Sequence, residues 1–159
     1  MNKRNNKGFS LIEIIVTIAI MAIVVGASTS VYLWTKSARL KETTNGINSA
    51  ISELRTTTLT KSGEFRLKIY EDSSDNKKYA MIEKKDGAGN WVEYSKDYIG
   101  KKPTISCGAS MNVSSDNSTG YEIYISFNKA DGVFLDAYAL KLSDNSQTNI
   151  GEIKVNFAG

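Results

Sequence analysis

The residue with the clearest chemical demand is Glu13. It stands inside a hydrophobic run that opens at Phe9, in the stretch Lys7-Gly8-Phe9-Ser10-Leu11-Ile12-Glu13. A carboxylate one turn inside a membrane-length helix costs on the order of 2.5–3.5 kcal/mol, so it calls for a positive partner. A cut after Gly8 would give Phe9 a free α-ammonium group about one helical turn from Glu13. The same terminus on a neighbouring, axially shifted copy could also reach it. Such pairing would offset much of the desolvation cost. The plainer alternative is a carboxylate that snorkels to the nearby interface.

Other chemistry is sparse. The chain has no histidine, so the commonest general base and metal ligand is missing. Cys107 is the only cysteine; it can form neither an internal disulfide nor a cysteine zinc site and reads as a small core residue. Asp72-Ser73-Ser74-Asp75-Asn76, Ser115-Asp116-Asn117 and Asp144-Asn145 could offer oxygens to calcium. They lack an EF-hand pattern, and such residues favour turns for local hydrogen-bonding reasons. No metal ligand or cofactor is assigned.

Lys77-Lys78, Lys84-Lys85 and Lys101-Lys102 could form a basic patch for DNA or a teichoic-acid-like polymer. Lys77, Lys78, Lys84 and Lys85 are the candidate ligand-binding residues. Asp75, Glu83, Asp86 and Asp97 interrupt them, so a solvated face is the competing reading. Trp91, Tyr94 and Tyr98 could stack on bases or serve as half-buried strand aromatics. Asn112-Val113-Ser114 and Asn117-Ser118-Thr119 fit a glycosylation pattern common by chance. No nucleophile–base arrangement stands out, and an enzyme is not expected.

The elements that must position Glu13 follow from charge and hydropathy. Lys3, Arg4 and Lys7 form a basic leader. Removing these three from the 20 basic residues leaves 17, equal to the 17 acidic ones. Residues 9–34 are mostly apolar and as a helix would span about 39 Å, enough to cross a hydrocarbon core of about 30 Å. Tyr32 and Trp34 close the run as interfacial aromatics, and the leader sets the N-terminus on the cytoplasmic side. A secretory signal shares these features, but its apolar core is shorter and a small-x-small site follows it. Here Ala27-Ser28-Thr29-Ser30 is the only candidate.

Lys-Gly-Phe-Ser-Leu-Ile-Glu followed by Ile-Ile-Val-Thr-Ile-Ala-Ile closely resembles the leader and helix start of type IV pilins and type II secretion pseudopilins, over residues 3–40. The resemblance implies cleavage between Gly8 and Phe9 by a prepilin peptidase, N-methylation of Phe9, and pairing of Glu13 with the new amine during assembly. It implies other pilin or pseudopilin subunits and an assembly-platform membrane protein as partners. Many major pilins carry a kinking proline in the second half of the run. This chain has Gly26-Ala27-Ser28-Thr29-Ser30-Val31 instead, which favours a minor pilin or pseudopilin. Residues 121–157, with Tyr-Ile-Ser-Phe-Asn-Lys-Ala-Asp-Gly and a terminal Ile-Gly-Glu-Ile-Lys-Val, resemble H-class minor pseudopilins.

After Trp34 the pattern turns amphipathic: Leu40, Ile47, Ile51, Leu54 and Thr58 recur at helical spacing. The first helix is expected from Phe9 to Thr57, read through Gly46 and ended by Thr56-Thr57-Thr58 and Ser62-Gly63. Strands are expected at 65–70, 78–84, 91–94, 104–107, 121–127, 133–142 and 149–157, with hairpin turns at 86–90 and 128–132. The fold class is α+β, a long helix packed on a small antiparallel sheet. The domain reading is a leader at 1–8, a membrane and assembly segment at 9–34, an amphipathic segment at 35–58 and an extracytoplasmic head at 59–159. The functional expectation is a filament subunit, first in the cytoplasmic membrane and then in a surface pilus or pseudopilus. The alternative is a tip-exposed module that binds DNA or a surface.

Overall fold

The computed structural model describes residues 10–157, without the side chains of residues 27–30. The leader and the Gly8–Phe9 junction lie outside the described residues. The chain divides into two compact units, Met1–Ser37 and Ala38–Gly159.

Helix α1 runs Leu11–Thr60. In the first unit the large apolar side chains from Leu11 to Val25 are solvent-exposed, Ile12 at 67% and Ile23 at 72%. β-Branched residues are mediocre helix formers in water. In hydrocarbon, however, a helix satisfies every backbone group within its own segment, and an all-round apolar surface suits lipid or a protein bundle. Thr17 does not interrupt this, because its hydroxyl donates to the Glu13 and Ile14 carbonyls at 2.8 and 2.9 Å.

In the second unit α1 buries one stripe: Thr43, Ile47, Ala50, Leu54, Thr57 and Thr58. The spacing is that of one helix face. Of the expected stripe, Ile47, Leu54 and Thr58 are buried, while Leu40 and Ile51 are half-buried. Gly46 is a contact rather than a break, since a Cβ there would stand 3.1 Å from Ile99 Cγ2. The helix also outlasts its expected end. Thr56, Thr58 and Thr60 each donate to the carbonyl four residues back, so their hydroxyls are satisfied inside the helix.

The strands are β1 Phe65–Asp72, β2 Lys77–Lys85, β3 Trp91–Gly100, β4 Pro103–Ser106, β5 Tyr121–Phe127, β6 Phe134–Lys141, β7 Gln147–Asn149 and β8 Lys154–Phe157. Six form an antiparallel sheet in the order β3-β2-β1-β5-β6-β7, and β4 pairs with β8. One sheet face carries Phe65, Leu67, Ile69, Ala80, Ile82, Ile123, Ile125, Ala137 and Ala139 into a core shared with Ile47, Ala50 and Leu54 of α1. The chain is thus α+β, a long helix with a small antiparallel sheet.

Two expected strands differ from the observed ones. β3 continues to Gly100, well past Tyr94, with register shifts against β2 at Lys78/Tyr79 and Ile82/Glu83. Each shift inserts an irregularity that breaks strict alternation. The single strand expected at 149–157 is two. Ile150 N–H donates to the Ala137 carbonyl at 3.0 Å, and β8 then crosses to β4.

Leu54 is fully buried between helix and sheet. Leu54→Ala is expected to cost the head about 2–5 kcal/mol, read as a lower urea midpoint of its near-ultraviolet signal. An unchanged midpoint would contradict this packing.

Candidate functional site

Glu13 sits in the first turn of α1. Its Oε2 accepts the Ser10 backbone N–H at 3.1 Å, while the Ser10 carbonyl accepts the N–H groups of Glu13 and Ile14 at 3.0 and 3.3 Å. Ser10-x-x-Glu13 is therefore one half of a capping box. The sequence reading missed it, although a serine three residues before a glutamate at the head of an apolar run is its usual signal. Phe9 and Gly8, which complete the predicted processing site, lie outside the described residues.

The four candidate lysines do not converge. All lie on β2, with Lys77 and Lys78 at its start and Lys84 and Lys85 at its end, roughly 20 Å or more apart at about 3.3 Å per residue. Lys78 is buried and ion-paired with Glu71 at 2.6 Å. Glu71 also accepts the Ser115 hydroxyl at 3.1 Å. Burial raises the Glu71 pKa, and the Lys78 and Ser115 bonds bring it below the ordinary value. Lys77 pairs with Asp75 at 3.1 Å and Lys85 with Glu64 at 2.9 Å. Lys84 lies 5.8 Å from the Phe65 ring centroid.

The sheet face turned away from the core is a lattice of rings and paired cations. Arg66 lies between Trp91 at 4.2 Å and Tyr124 at 4.5 Å, and it binds Glu83 at 2.6 Å. Lys68 pairs with Glu122 at 3.0 Å, and Tyr124 donates to Glu122 at 2.7 Å. Burial and that donation push the Tyr124 pKa well up. Tyr138 stacks on Tyr124 at 5.3 Å. A cleft of about 480 Å³ opens beside them, lined by Phe65, Arg66, Trp91, Tyr124 and Tyr138 among others. It can stack a flat ring but offers no unpaired guanidinium, since Arg66 already holds Glu83. Of the aromatics singled out from sequence, Trp91 belongs to this cleft and Tyr94 does not. Tyr94 packs edge-on against Phe65 at 5.4 Å, and Tyr98 packs edge-on against Tyr79 at 6.0 Å.

The acidic turns are internally occupied. Asp72 Oδ1 accepts the Ser74 N–H and hydroxyl at 3.0 and 2.7 Å. Asp116 does the same with Ser118 at 2.9 and 2.7 Å, and Asp144 accepts the Ser146 N–H at 2.9 Å. Among the described residues no group of three or more acidic or cysteine side chains is placed to hold a metal ion. Cys107 is buried, and burial raises its thiol pKa.

Residues 3–29 match the family model described as the prokaryotic N-terminal methylation motif, the signature of type IV pilins and pseudopilins. The match covers none of the head. No curated protein and no solved structure matches significantly. The motif supports a subunit processed by prepilin peptidase, and its family is structural. The matched segment overlaps a helix long and apolar enough to cross a membrane, with a mean hydropathy of 2.5 over its most apolar window.

The turn carboxylates set a pH response. Backbone and hydroxyl donors from Ser74 and Ser118 hold Asp72 and Asp116 below the ordinary 3.8. Their folded pKa values are depressed, so their contribution is complete above the unfolded value and is lost as pH falls through the folded one. The unfolding midpoint of the head is expected to be level from about pH 7 to 5 and to drop below about pH 4. Asp116→Asn should shallow that drop, and an identical acid limb in the variant would refute the assignment.

Proposed function

We propose that the chain is a pilin-like filament subunit, stored in the cytoplasmic membrane and assembled through its N-terminal helix. The observation that carries this is one coincidence. The methylation motif at residues 3–29 overlaps a helix whose apolar side chains are exposed from Leu11 to Val25, with Glu13 the only ionisable side chain in that stretch. A peptidase cuts between Gly8 and Phe9, and Phe9 is N-methylated. Residues 1–8 are the discarded leader, residues 9–34 hold the membrane and then the filament core, and the head faces outward. Related helices packed head to tail generate an open helical array.

In that array Glu13 takes the Phe9 amine as its counter-charge and fixes axial register. A misregistered subunit would leave a carboxylate unpaired in an apolar core, which is strongly disfavoured. The lack of a helix-kinking proline supports a minor pilin or pseudopilin rather than a major one. The ion pairs on Lys77, Lys78 and Lys85 support a structural head over a polyanion-binding tip module.

Glu13→Ala is expected to insert into membranes normally yet to be depleted from sheared filaments by tenfold or more, an estimate of order 1.4 kcal/mol of lost pairing. Its incorporation at wild-type levels would remove the register role. Gly8→Leu is expected to leave the leader uncut, seen as a precursor band on gels. Normal processing of that variant would contradict the assigned junction.

A further inference from the structure

The six-stranded sheet is split between two of its inner strands. β1 and β5 pair only through residues 67–69 and 123–125, although β1 begins at Phe65 and β5 runs on to Phe127. In that register Phe65 and Phe127 would be the next pair to exchange main-chain hydrogen bonds. Both line the cleft of about 480 Å³, so the cleft enters the sheet at this split. It lies within the unit Ala38–Gly159.

Each strand turns main-chain groups into the split. The Lys85 N–H donates to the Glu64 carbonyl at 3.0 Å, and the Asn128 N–H donates to the Val133 carbonyl at 2.8 Å. Main-chain groups alternate in direction along an antiparallel strand. The N–H and C=O of Phe65 therefore point away from β2, and those of Phe127 point away from β6. Both sets face the split, and among the described residues no ladder pair joins them. The register shift of β5 against β6 at Ser126/Phe127 falls at the same place. Such an irregularity bends a strand and ends its pairing.

Those groups select the occupant. A donor and an acceptor on each of two facing strand edges are the complement of a third extended main chain. The walls add a period-two preference, since successive side chains of an extended guest point to opposite faces. Thr58 and Ile125 are buried on the core side, while Trp91 and Tyr138 present rings on the outer side. Of the charged side chains lining the cleft, Glu64 already holds Lys85 and Arg66 holds Glu83. Lys129 is exposed and belongs to none of the ion pairs among the described residues, so a carboxylate on the guest is complementary. We infer that the split between β1 and β5 binds an extended, acidic-ended segment of another polypeptide, held end-on through main-chain hydrogen bonds to Phe65 and Phe127. Binding there needs neither the processing site nor the apolar span.

The test uses the isotope-labelled full chain in detergent micelles with the peptide acetyl-Glu-Val-Tyr-Val-Thr-amide at about 2 mM. Amide–solvent exchange is read by nuclear magnetic resonance. The Phe65 and Phe127 amides are expected to exchange at least about fivefold more slowly, the effect of a ligand at about four times its Kd. The same peptide N-methylated at every residue should protect neither, because it has lost its main-chain donors. Protection should also be lost in Ser126→Trp, which fills the cleft. Exchange unchanged at both amides would overturn the binding site. Equal protection by the N-methylated peptide would overturn main-chain recognition, and that comparison needs no variant to fold. Protection retained by Ser126→Trp, or moved to Lys96 on the edge strand β3, would overturn the split as the location. A peptide with lysine in place of its glutamate should protect at least about twofold less, and equal protection would overturn the acidic preference.

Discussion

One helix has to satisfy two surroundings, and the rest of the chain follows from that constraint. Over Leu11–Val25, Glu13 and Thr17 apart, α1 exposes apolar side chains, a surface suited to lipid or to other helices. From Thr43 to Thr58 it is apolar on a single stripe, which suits a half-buried helix against a sheet. The change of pattern explains why threonine is admitted where it is. Thr17, Thr56, Thr58 and Thr60 return their hydroxyls to the helix's own carbonyls. Those hydroxyls then need no outside partner in either surrounding.

The head meets the helix with a sheet whose two faces do different work. The inner face is aliphatic and close-packed. The outer face combines aromatic rings with cations that already hold carboxylates. The more exposed pairs, Lys77–Asp75 and Lys85–Glu64, add little individually, whereas Arg66–Glu83 and Lys68–Glu122 are partly buried. The Glu71–Lys78 pair differs because Lys78 is buried and Glu71 also serves Ser115. Removing either partner would leave a desolvated charge behind. That pair also links β1 and β2 to the loops at Ser115 and Lys101.

The long elements were legible in the sequence and the junctions were not. The apolar run, the carboxylate at position 13 and the β5–β6 hairpin around Asn128–Gly132 follow from period and turn chemistry, which are local. The break between β7 and β8 is not local, because it depends on Ile150 bonding to Ala137 and on β8 finding β4. β3 looked short because its two register shifts scramble alternation beyond Tyr94. A stripe read from apolar residues omits Thr43, a polar residue that is buried with its Oγ1 against Gly100. Adjacency along the chain groups the lysines in pairs. Strand geometry instead separates the two pairs along β2 and turns Lys78 into the protein.

The capping bond at the head of α1 sharpens what Glu13 requires. The Ser10 N–H is a neutral donor, and the helix N-terminus adds roughly half a positive charge. Together these are worth about 1–2 kcal/mol, less than the several kcal/mol needed to strip a carboxylate of water. Glu13 is thus tolerable near an interface but poorly matched deep in an apolar bundle. An α-ammonium at Phe9 would supply the missing full charge, and the proposed cut is what would create it. On the proposed reading, the local cap keeps the precursor storable and the new amine makes the mature subunit packable. The same carboxylate then separates the two states, because only one of them contains the charge it needs.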